Sequence, residues 1–505
     1  MKLSDIVPFL DCQVSGGLDI DITGISTDSR RIDNAPGKAT LFAAMPGEHV
    51  DGYGFIPKAV EAGAACVLAE RLTPSIKATQ IIVPDIREAL ARTADLVFGE
   101  PSKKLVLLGV TGTNGKTTTT YILEAILKAA GANPGVIGTV NYRYNGKVFP
   151  APHTTPQAHE LQAILKEMAG GGVTHCVMEV SSHALEQKRV GYCRFRAGVF
   201  TNLTHDHLDY HKTMDEYFRC KSLLFAYLSA TGGASVINMD DPWGAKLKAA
   251  FPSAVTFSLQ SGASVYPRSF SLLEGRTEAE IATPSGDVGV SSHLVGEYNL
   301  QNILGAIALA TSIGIRKEAI EIGISSLERV PGRLEKLESK GERVFRAYVD
   351  YAHTGDALER ALEALRPVTS GRLITVFGCG GNRDRLKRPK MGEAATRLSD
   401  FTIVTSDNPR DEEPLEIIKE IEAGIKGPRK VDPVNSPSSS GYMVIPDRKE
   451  AIRKAVSLAS NGDTILVAGK GHEDYQIIKG VKHHFDDFEV LREAMEEGAS
   501  SAAHQ

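Results

Sequence analysis

In LVLLGVTGTNGKTT, residues 105–118, an apolar run passes directly into a glycine-bearing loop. A helix pattern follows, with Ile122, Leu123, Ile126 and Leu127 on one face. Strand, glycine loop and helix in that order build a phosphate cradle. The glycines let backbone N–H groups curl around phosphate oxygens, Lys116 brings positive charge to the outer phosphates, and the Thr117 hydroxyl can hold Mg²⁺. One position departs from the usual spacing: Val110 stands where the first glycine is expected, with Gly109 one place earlier. An ordinary glycine turn is the bland alternative, but the strand-to-helix setting of GKT speaks against it.

Outward from this loop the rhythm is strand and helix in alternation. GVIGTV, THCVMEV, AGVFTN and ASVINMD are short apolar or β-branched runs, separated by helical stretches such as TTTYILEAILKAA and QAHELQAILKEMA. That pattern predicts a mainly parallel sheet covered on both faces. Before it, TLFAAM, ACVLAE, QIIVPD and the helix pattern REALARTADLVF mark a smaller unit ending near GEPSKK. After the turn-rich VPGRLE, a second alternating series begins with FRAYVDYAH, RLITVFGCGG, DFTIVTSDNPR and TILVAGKGHE, with DALERALEALR and LEIIKEIEAGI as helices between them. SPSSSG at 436–441 reads as a loop. The expected fold is α/β in three domains: a smaller mixed α/β domain (1–102), a central P-loop ATPase-like parallel sheet (103–331) and a C-terminal Rossmann-like doubly wound domain (332–505).

Composition narrows the function. Lys plus Arg number 57 against 62 Asp plus Glu, a formal charge of −5 that offers no basic field for nucleic acid. The six cysteines include no CxxC pair, which argues for reduced thiols in a cytoplasmic protein rather than a disulfide framework or zinc knuckle. The start is broken by Asp5 and Asp11, and no window approaches a membrane-spanning run.

Chemistry-bearing residues gather after the strand runs. MEVSSHALEQKRV puts Glu179 at a strand end near the phosphate mouth, and TNLTHDHLDYH puts His207 and Asp209 after the next strand. Imidazole and carboxylate suit a divalent cation, although any one of His175, His183, His205, His207 and His211 taken singly is better read as a cap or packing group. In the last series each strand runs into a polar cluster: DYAHTGD, GCGGNRDR, SDNPRDE and GKGHED. Ligands of open parallel sheets bind outside the carboxyl ends of the strands, so the four clusters are expected to line one crevice for a polar ligand.

Taken together, STDSR and GEHVDGYGF, then GTNGKTT, HTTP, EVSSHAL, HDHLDYH and KSLLF, then VPGRLE, DYAHTGDAL, FGCGGNRD, SDNPR and GKGHE resemble the Mur ligase family over nearly the whole chain. The resemblance implies a monomeric, cytoplasmic ATP-dependent amide ligase of peptidoglycan precursor synthesis. It would add meso-2,6-diaminopimelate to UDP-N-acetylmuramoyl-L-alanyl-D-glutamate through an acyl phosphate, and its partners would be small molecules only. It further implies that Gly112, Thr113, Asn114, Gly115, Lys116, Thr117 and Thr118 hold ATP, with Asn302, Arg333, Asp350 and His353 around the nucleotide and the interdomain contact. Thr27 and Ser29 would hold the UDP end. His153, Thr154, Thr155, Ser181, Gln187 and Arg189 would meet the muramoyl dipeptide. Catalysis would rest on Lys116, Glu179, His207 and Lys221, with Mg²⁺ served by Thr117, Glu179, His207 and Lys221 as a CO₂-derived carbamate. Without that resemblance Lys221 reads as a solvated helix lysine.

Diaminopimelate carries a second carboxylate that lysine lacks, and an arginine can grip it with two parallel hydrogen bonds. Arg410 in DNPR is the residue implied, with Arg383, Asp407, Asn408, Pro409, Gly469 and Glu473 completing the pocket. Taken alone, DNPR is a plain Asp-Asn-Pro turn. Gly355, Asn382 and Leu386 depart from residues common in the family. Two other readings stay open: the same ligase type using lysine or another amino acid, and a nucleotide-binding homologue without turnover.

Overall fold

The computed structural model describes residues 1–47, 51–273, 275–339, 344–432 and 441–502. Residues 48–50 of GEHVDGYGF and 436–440 of SPSSSG lie outside the described residues.

The first sheet has five strands, with Gln13–Ser15 antiparallel at one edge and Thr79–Ile82, Cys66–Ala69, Thr40–Ala43 and Gly24–Ser26 following in parallel. The helix Ile86–Val97 covers it, capped by the Asp85 carboxylate accepting from the Glu88 N–H. Its buried stripe, Ile86, Ala89, Leu90 and Leu96, belongs to the same core as Leu41, Val67 and Leu68.

The central sheet has eight strands. Six are parallel, in the order Val255–Phe257, Ala234–Asn238, Phe195–Phe200, Val106–Thr111, His175–Glu179 and Pro134–Ile137. The hairpin Asn141–Tyr144/Lys147–Pro150 closes the edge, turning through Asn145 and Gly146, both at positive φ. Separate apolar cores fill the two faces. One is built around Ile122, Ile126, Ile303 and Ile307, the other around Leu161, Leu165, Leu224 and Phe225. The expected buried parallel sheet is therefore present. A three-stranded antiparallel sheet, Tyr266–Leu273, Arg276–Ala282 and Val288–Ser292, was not anticipated. Its first strand is largely exposed, and only residues such as Ile281, Val288 and Val290 reach the core, too few for a clear alternation.

The last large sheet has six strands. Glu335–Glu338 is antiparallel, and Arg346–Asp350, Thr464–Ala468, Leu373–Phe377, Phe401–Val404 and Gly441–Val444 are parallel. Helices Gly355–Leu365, Lys387–Leu398 and Pro414–Glu422 pack one face, and Arg448–Leu458 and the C-terminal helix pack the other, which makes the sheet doubly wound. The four strands that precede the polar clusters are neighbours, so the clusters emerge side by side at one end of the sheet. No helix among the described residues is long and apolar enough to cross a membrane, and all six cysteines are free.

Candidate active site

The phosphate loop is shaped by its glycines. Gly115 initiates the helix Lys116–Ala129 from the left-handed region (φ +85°), and a Cβ there would collide with the Asn302 amide. Gly112 likewise leaves no room for a side chain beside Thr201. The Lys116 ammonium donates to Gly112 O at 2.9 Å and Thr113 O at 2.8 Å, and burial lowers its pKa. Thr117 Oγ1 donates to Glu179 Oε1 at 2.9 Å. The Glu179 carboxylate, 1% exposed, also accepts from Thr139 N at 3.0 Å and Thr139 Oγ1 at 2.9 Å.

Lys221 is buried, 2% exposed, which rules out the solvated helix lysine. It lies on the inner stripe of Met214–Thr231 with Tyr217, Leu224 and Leu228, its Nζ donates to Gly112 O at 2.8 Å, and the Tyr217 ring stands 4.6 Å away. Burial, then the neighbouring Lys116 charge, drives its pKa well below the ordinary value. His207 sits at positive φ (+54°) at the start of the helix Leu208–His211, 3.4 Å from the Asp206 carboxylate. Asp206 rather than Asp209 lines the cleft: its side chain is 13% exposed, and Asp209 is exposed. Burial alone would raise the Asp206 carboxyl, but His207, His353 and Lys387 bring it below the usual range.

The opposite wall comes from the last sheet. One cleft is lined by Lys116, Thr117, Glu179, Asp206 and His207 on one side and Arg333, Asp350, Tyr351, His353 and Arg360 on the other, with Asn302 also in its lining. Arg333 Nη2 donates to Thr117 Oγ1 at 3.2 Å, and Asn114 Nδ2 donates to Asp356 Oδ2 at 3.0 Å, so the phosphate loop is bonded directly to the C-terminal half. Asp350 accepts from the N–H groups of Leu334 (2.7 Å) and Ala352 (2.8 Å), and burial raises its pKa. His353 Nδ1 lies 2.9 Å from Tyr351 O, which fixes Nδ1 as the protonated nitrogen; burial pushes the imidazole down to about 4.

Thr154, Thr155, Ser181, Gln187 and Arg189 form one network, and His153 bonds separately to Tyr142. Thr154 Oγ1 is 3.0 Å from Thr139 Oγ1, Thr155 Oγ1 donates to Glu179 O at 2.8 Å, and Ser181 N donates to Thr155 Oγ1 at 3.1 Å. Arg189 donates to Thr155 O at 3.0 Å and, through Nη2, to Gln187 Oε1 at 2.7 Å. The His153 backbone carbonyl accepts from the Tyr142 hydroxyl at 2.5 Å. Thr27 and Ser29 do not line the cleft. They follow the strand Gly24–Ser26 in a turn closed by Asp28, whose carboxylate accepts from Arg30.

At the sheet end, Asp407, Asn408, Arg410 and Glu473 come together. Asn408 Nδ2 donates to Glu473 Oε2 at 2.8 Å, and Lys470, fully buried, stands 3.3 Å from Glu473 Oε2 and 3.8 Å from Asp407 Oδ1. Gly469 backs onto Asp407 at φ +120°. Arg410 is held at φ +53° by backbone bonds with Ile477 and Lys479; its Nη1 donates to Gly381 O at 2.7 Å, and its guanidinium makes no other hydrogen bond among the described residues. Pro409 precedes it, and its carbonyl abuts Gly381. Arg383 is exposed on the facing loop, where Nη1 donates to Asn382 O. That loop is anchored by fully buried Arg388, which bridges Glu412 and Glu420 and donates to Gly380 O at 3.1 Å. Of the three departures, Asn382 fills a left-handed position (φ +52°) that asparagine tolerates, Gly355 begins a helix capped by Thr354, and Leu386 is exposed. Asp206, Lys470, Tyr351 and Arg360 are not singled out by the sequence; the signal for Asp206 and Lys470 is a charged residue inside a polar cluster that follows a strand, Phe195–Phe200 and Thr464–Ala468 respectively.

A glycine loop bonded across a cleft to a second doubly wound sheet defines a class, and the chain belongs to it: this is a member of the Mur ligase family. Residues 21–97 match the Mur ligase family catalytic domain, 110–310 the Mur ligase middle domain, and 332–471 the Mur ligase glutamate ligase domain. The chain is 47% identical over 497 residues to the UDP-N-acetylmuramoyl-L-alanyl-D-glutamate–2,6-diaminopimelate ligase of Gloeobacter violaceus, covering 98% of each. It is 44% identical over 515 residues to the enzyme of that name from Geobacter metallireducens, covering 99% of each. A solved structure bearing that enzyme name is 31% identical over 99% of both chains, with a TM-score of 0.68. The MurF ligase of Thermotoga maritima in complex with ADP shares the fold at 20% identity, covering 95% of this chain and 98% of its own, with a TM-score of 0.64.

Proposed function

We propose that the chain is an ATP-dependent ligase that joins meso-2,6-diaminopimelate to the D-glutamyl carboxylate of UDP-N-acetylmuramoyl-L-alanyl-D-glutamate, in the cytoplasm and as a monomer. The observation that carries this reading is the single cleft in which Lys116, Thr117 and Glu179 face Arg333, Asp350 and His353. A division at 1–102, 103–331 and 332–505 gives the UDP end, ATP and the amino acid a domain each.

Amide formation in water needs an activated acyl group. The glutamyl carboxylate attacks the γ-phosphate of ATP held by residues 112–118, giving an acyl phosphate and ADP; the diaminopimelate amine then displaces phosphate. Lys116 and Arg333 offset charge on the transferring phosphoryl group, and Asn302, Asp350 and His353 border the nucleotide. Thr154, Thr155, Ser181, Gln187 and Arg189, with His153 beside them, hold the dipeptide end, while Thr27 and Ser29 hold the UDP end. No enzyme nucleophile is required, so catalysis is positioning and electrostatics.

The donor set fits Mg²⁺: a threonine hydroxyl 2.9 Å from a buried carboxylate, with Asp206 and His207 on the same side of the cleft. Thr117, Glu179 and His207 would hold it, and bound there it would supply charge stabilisation for phosphoryl transfer. Lys221 fits carbamylation: burial lowers its pKa well below the ordinary value, which favours the free amine that adds to CO₂ with loss of a proton, and the product would place an anion beside the metal donors.

Asp407, Asn408 and Glu473, backed by Pro409 and Gly469, answer the ammonium groups of the amino acid, while Arg410 and Arg383 face its carboxylates. The test is phosphate release from ATP in the presence of the UDP-muramoyl dipeptide and each amine in turn. Turnover with diaminopimelate and little with lysine is expected. Equal turnover with both removes the assignment, and no ADP with any amine favours the inactive homologue.

A further inference from the structure

Behind the cleft, three helices bring Glu186, His211 and Cys220 together so that one donor atom from each lies within 4.8 Å of the others. Glu186 ends Ser182–Glu186, His211 ends Leu208–His211, and Cys220 lies in Met214–Thr231. His211 Nε2 is 2.8 Å from Ser182 Oγ. The other ring nitrogen, Nδ1, is buried without a hydrogen-bond partner and faces Glu186 Oε2 at 3.8 Å, an atom equally buried and unpartnered. If Ser182 takes the Nε2 proton, two acceptors confront each other. A proton on Nδ1 would instead lie beyond hydrogen-bond reach of the carboxylate. Buried polar atoms are rarely left so, and here two of them aim at one point beside a buried sulfur.

We propose that His211 Nδ1, the Glu186 carboxylate and the Cys220 thiolate form a site for a thiophilic divalent cation of the Zn²⁺ type, with water as the fourth donor. The donor set adds soft sulfur to imidazole and oxygen, whereas the set beside the phosphate loop has no sulfur. Carboxylate plus thiolate balance the dication; on binding, the Cys220 S–H bond breaks, the S–metal bond forms and the proton leaves to solvent. Tetrahedral bonds of about 2.0–2.3 Å place donors about 3.3–3.8 Å apart, so the side chains close by about an ångström. The rim is the half-exposed Glu186 and the exposed Arg219, which stands 4.0 Å from Glu186 Oε1 and 3.8 Å from Cys220 Sγ and swings outward to admit the ion. Occupancy would tie the helix that follows Asp206 and His207 to the helix that carries Lys221, stiffening that edge of the cleft.

The test uses full-length protein in excess Mg²⁺, titrated with Cd²⁺ as the probe. A sulfur-to-cadmium charge-transfer band saturating at one equivalent is expected, retained in Cys12→Ser and lost in Cys220→Ser. Glu186→Gln on the rim and His211→Gln in the interior are each expected to weaken Cd²⁺ binding by about 10–100-fold. No band in the wild-type protein, a band that survives Cys220→Ser, or unchanged affinity in folded Glu186→Gln overturns the site.

Discussion

The ammonium groups of Lys116 and Lys221 converge on one acceptor, the Gly112 carbonyl, at 2.9 and 2.8 Å. Burial, and then the like charge of Lys116 beside it, lowers the Lys221 pKa well below its ordinary 10.5. Between its folded pKa and that ordinary value the unfolded chain binds the extra proton, so stability rises with pH across the window. Denaturant unfolding at a series of pH values is expected to show this rise, flattened in Lys221→Met. Turnover of the same variant should fall by about 10²–10³-fold, the scale of losing one preorganised charge-stabilising group.

Glu179 ties Thr117 to Thr139, so its charge and its geometry can be separated. Glu179→Gln keeps the shape and removes the anion. It is expected to shift the Mg²⁺ dependence of kcat to higher concentration and to lower the maximum, with unfolding free energy changed by no more than about 1–3 kcal/mol. Full activity at ordinary Mg²⁺ would show that this carboxylate does not serve the metal.

Glu412 is held down to about 2, first by the hydrogen bond from Arg388. A carboxyl depressed in the folded state contributes stability that is complete above the unfolded carboxylate range and is lost as pH falls toward about 2. Glu412→Gln should therefore lose most of its stability deficit in acid. Arg388→Ala, which leaves Glu412 and Glu420 facing each other without their buried cation, is expected to cost about 3–5 kcal/mol at neutral pH.

The Asn114–Asp356 hydrogen bond joins the phosphate loop to the helix Gly355–Leu365. If closure of the cleft excludes water from the acyl phosphate, Asp356→Ala should raise ATP hydrolysis that is not coupled to amide formation. Solution scattering with and without nucleotide plus dipeptide checks the motion directly, and superimposable profiles would contradict it.

Much of this was legible because parallel sheets write themselves as short apolar runs followed by polar clusters. The phosphate loop survived the Val110 substitution in the motif because strand, glycine turn and helix context carried it. Burial was harder to read. Lys221 looked like a surface lysine, yet its spacing from Tyr217, Leu224 and Leu228 is that of the buried stripe, and this period was the available clue. The hairpin at Asn145–Gly146 had the turn signature, but its strands mix charges with aromatics. The three-stranded antiparallel sheet shows little apolar alternation because its first strand, Tyr266–Leu273, is largely exposed at consecutive residues and so on both faces. Contacts between distant segments, such as Lys470 between Asp407 and Glu473, follow from strand order, which no local pattern reveals.

The central claim is that a guanidinium selects the amine by its far carboxylate, and the ratio of kcat/KM for diaminopimelate to that for lysine, in wild type and in Arg410→Ala, tests it most directly. Truncating one side of a buried charged hydrogen-bonded pair costs about 2–5 kcal/mol, so the ratio should collapse toward unity through the diaminopimelate KM while the KM for ATP stays unchanged. A ratio that survives the substitution, or equal loss with both amines, would contradict the account.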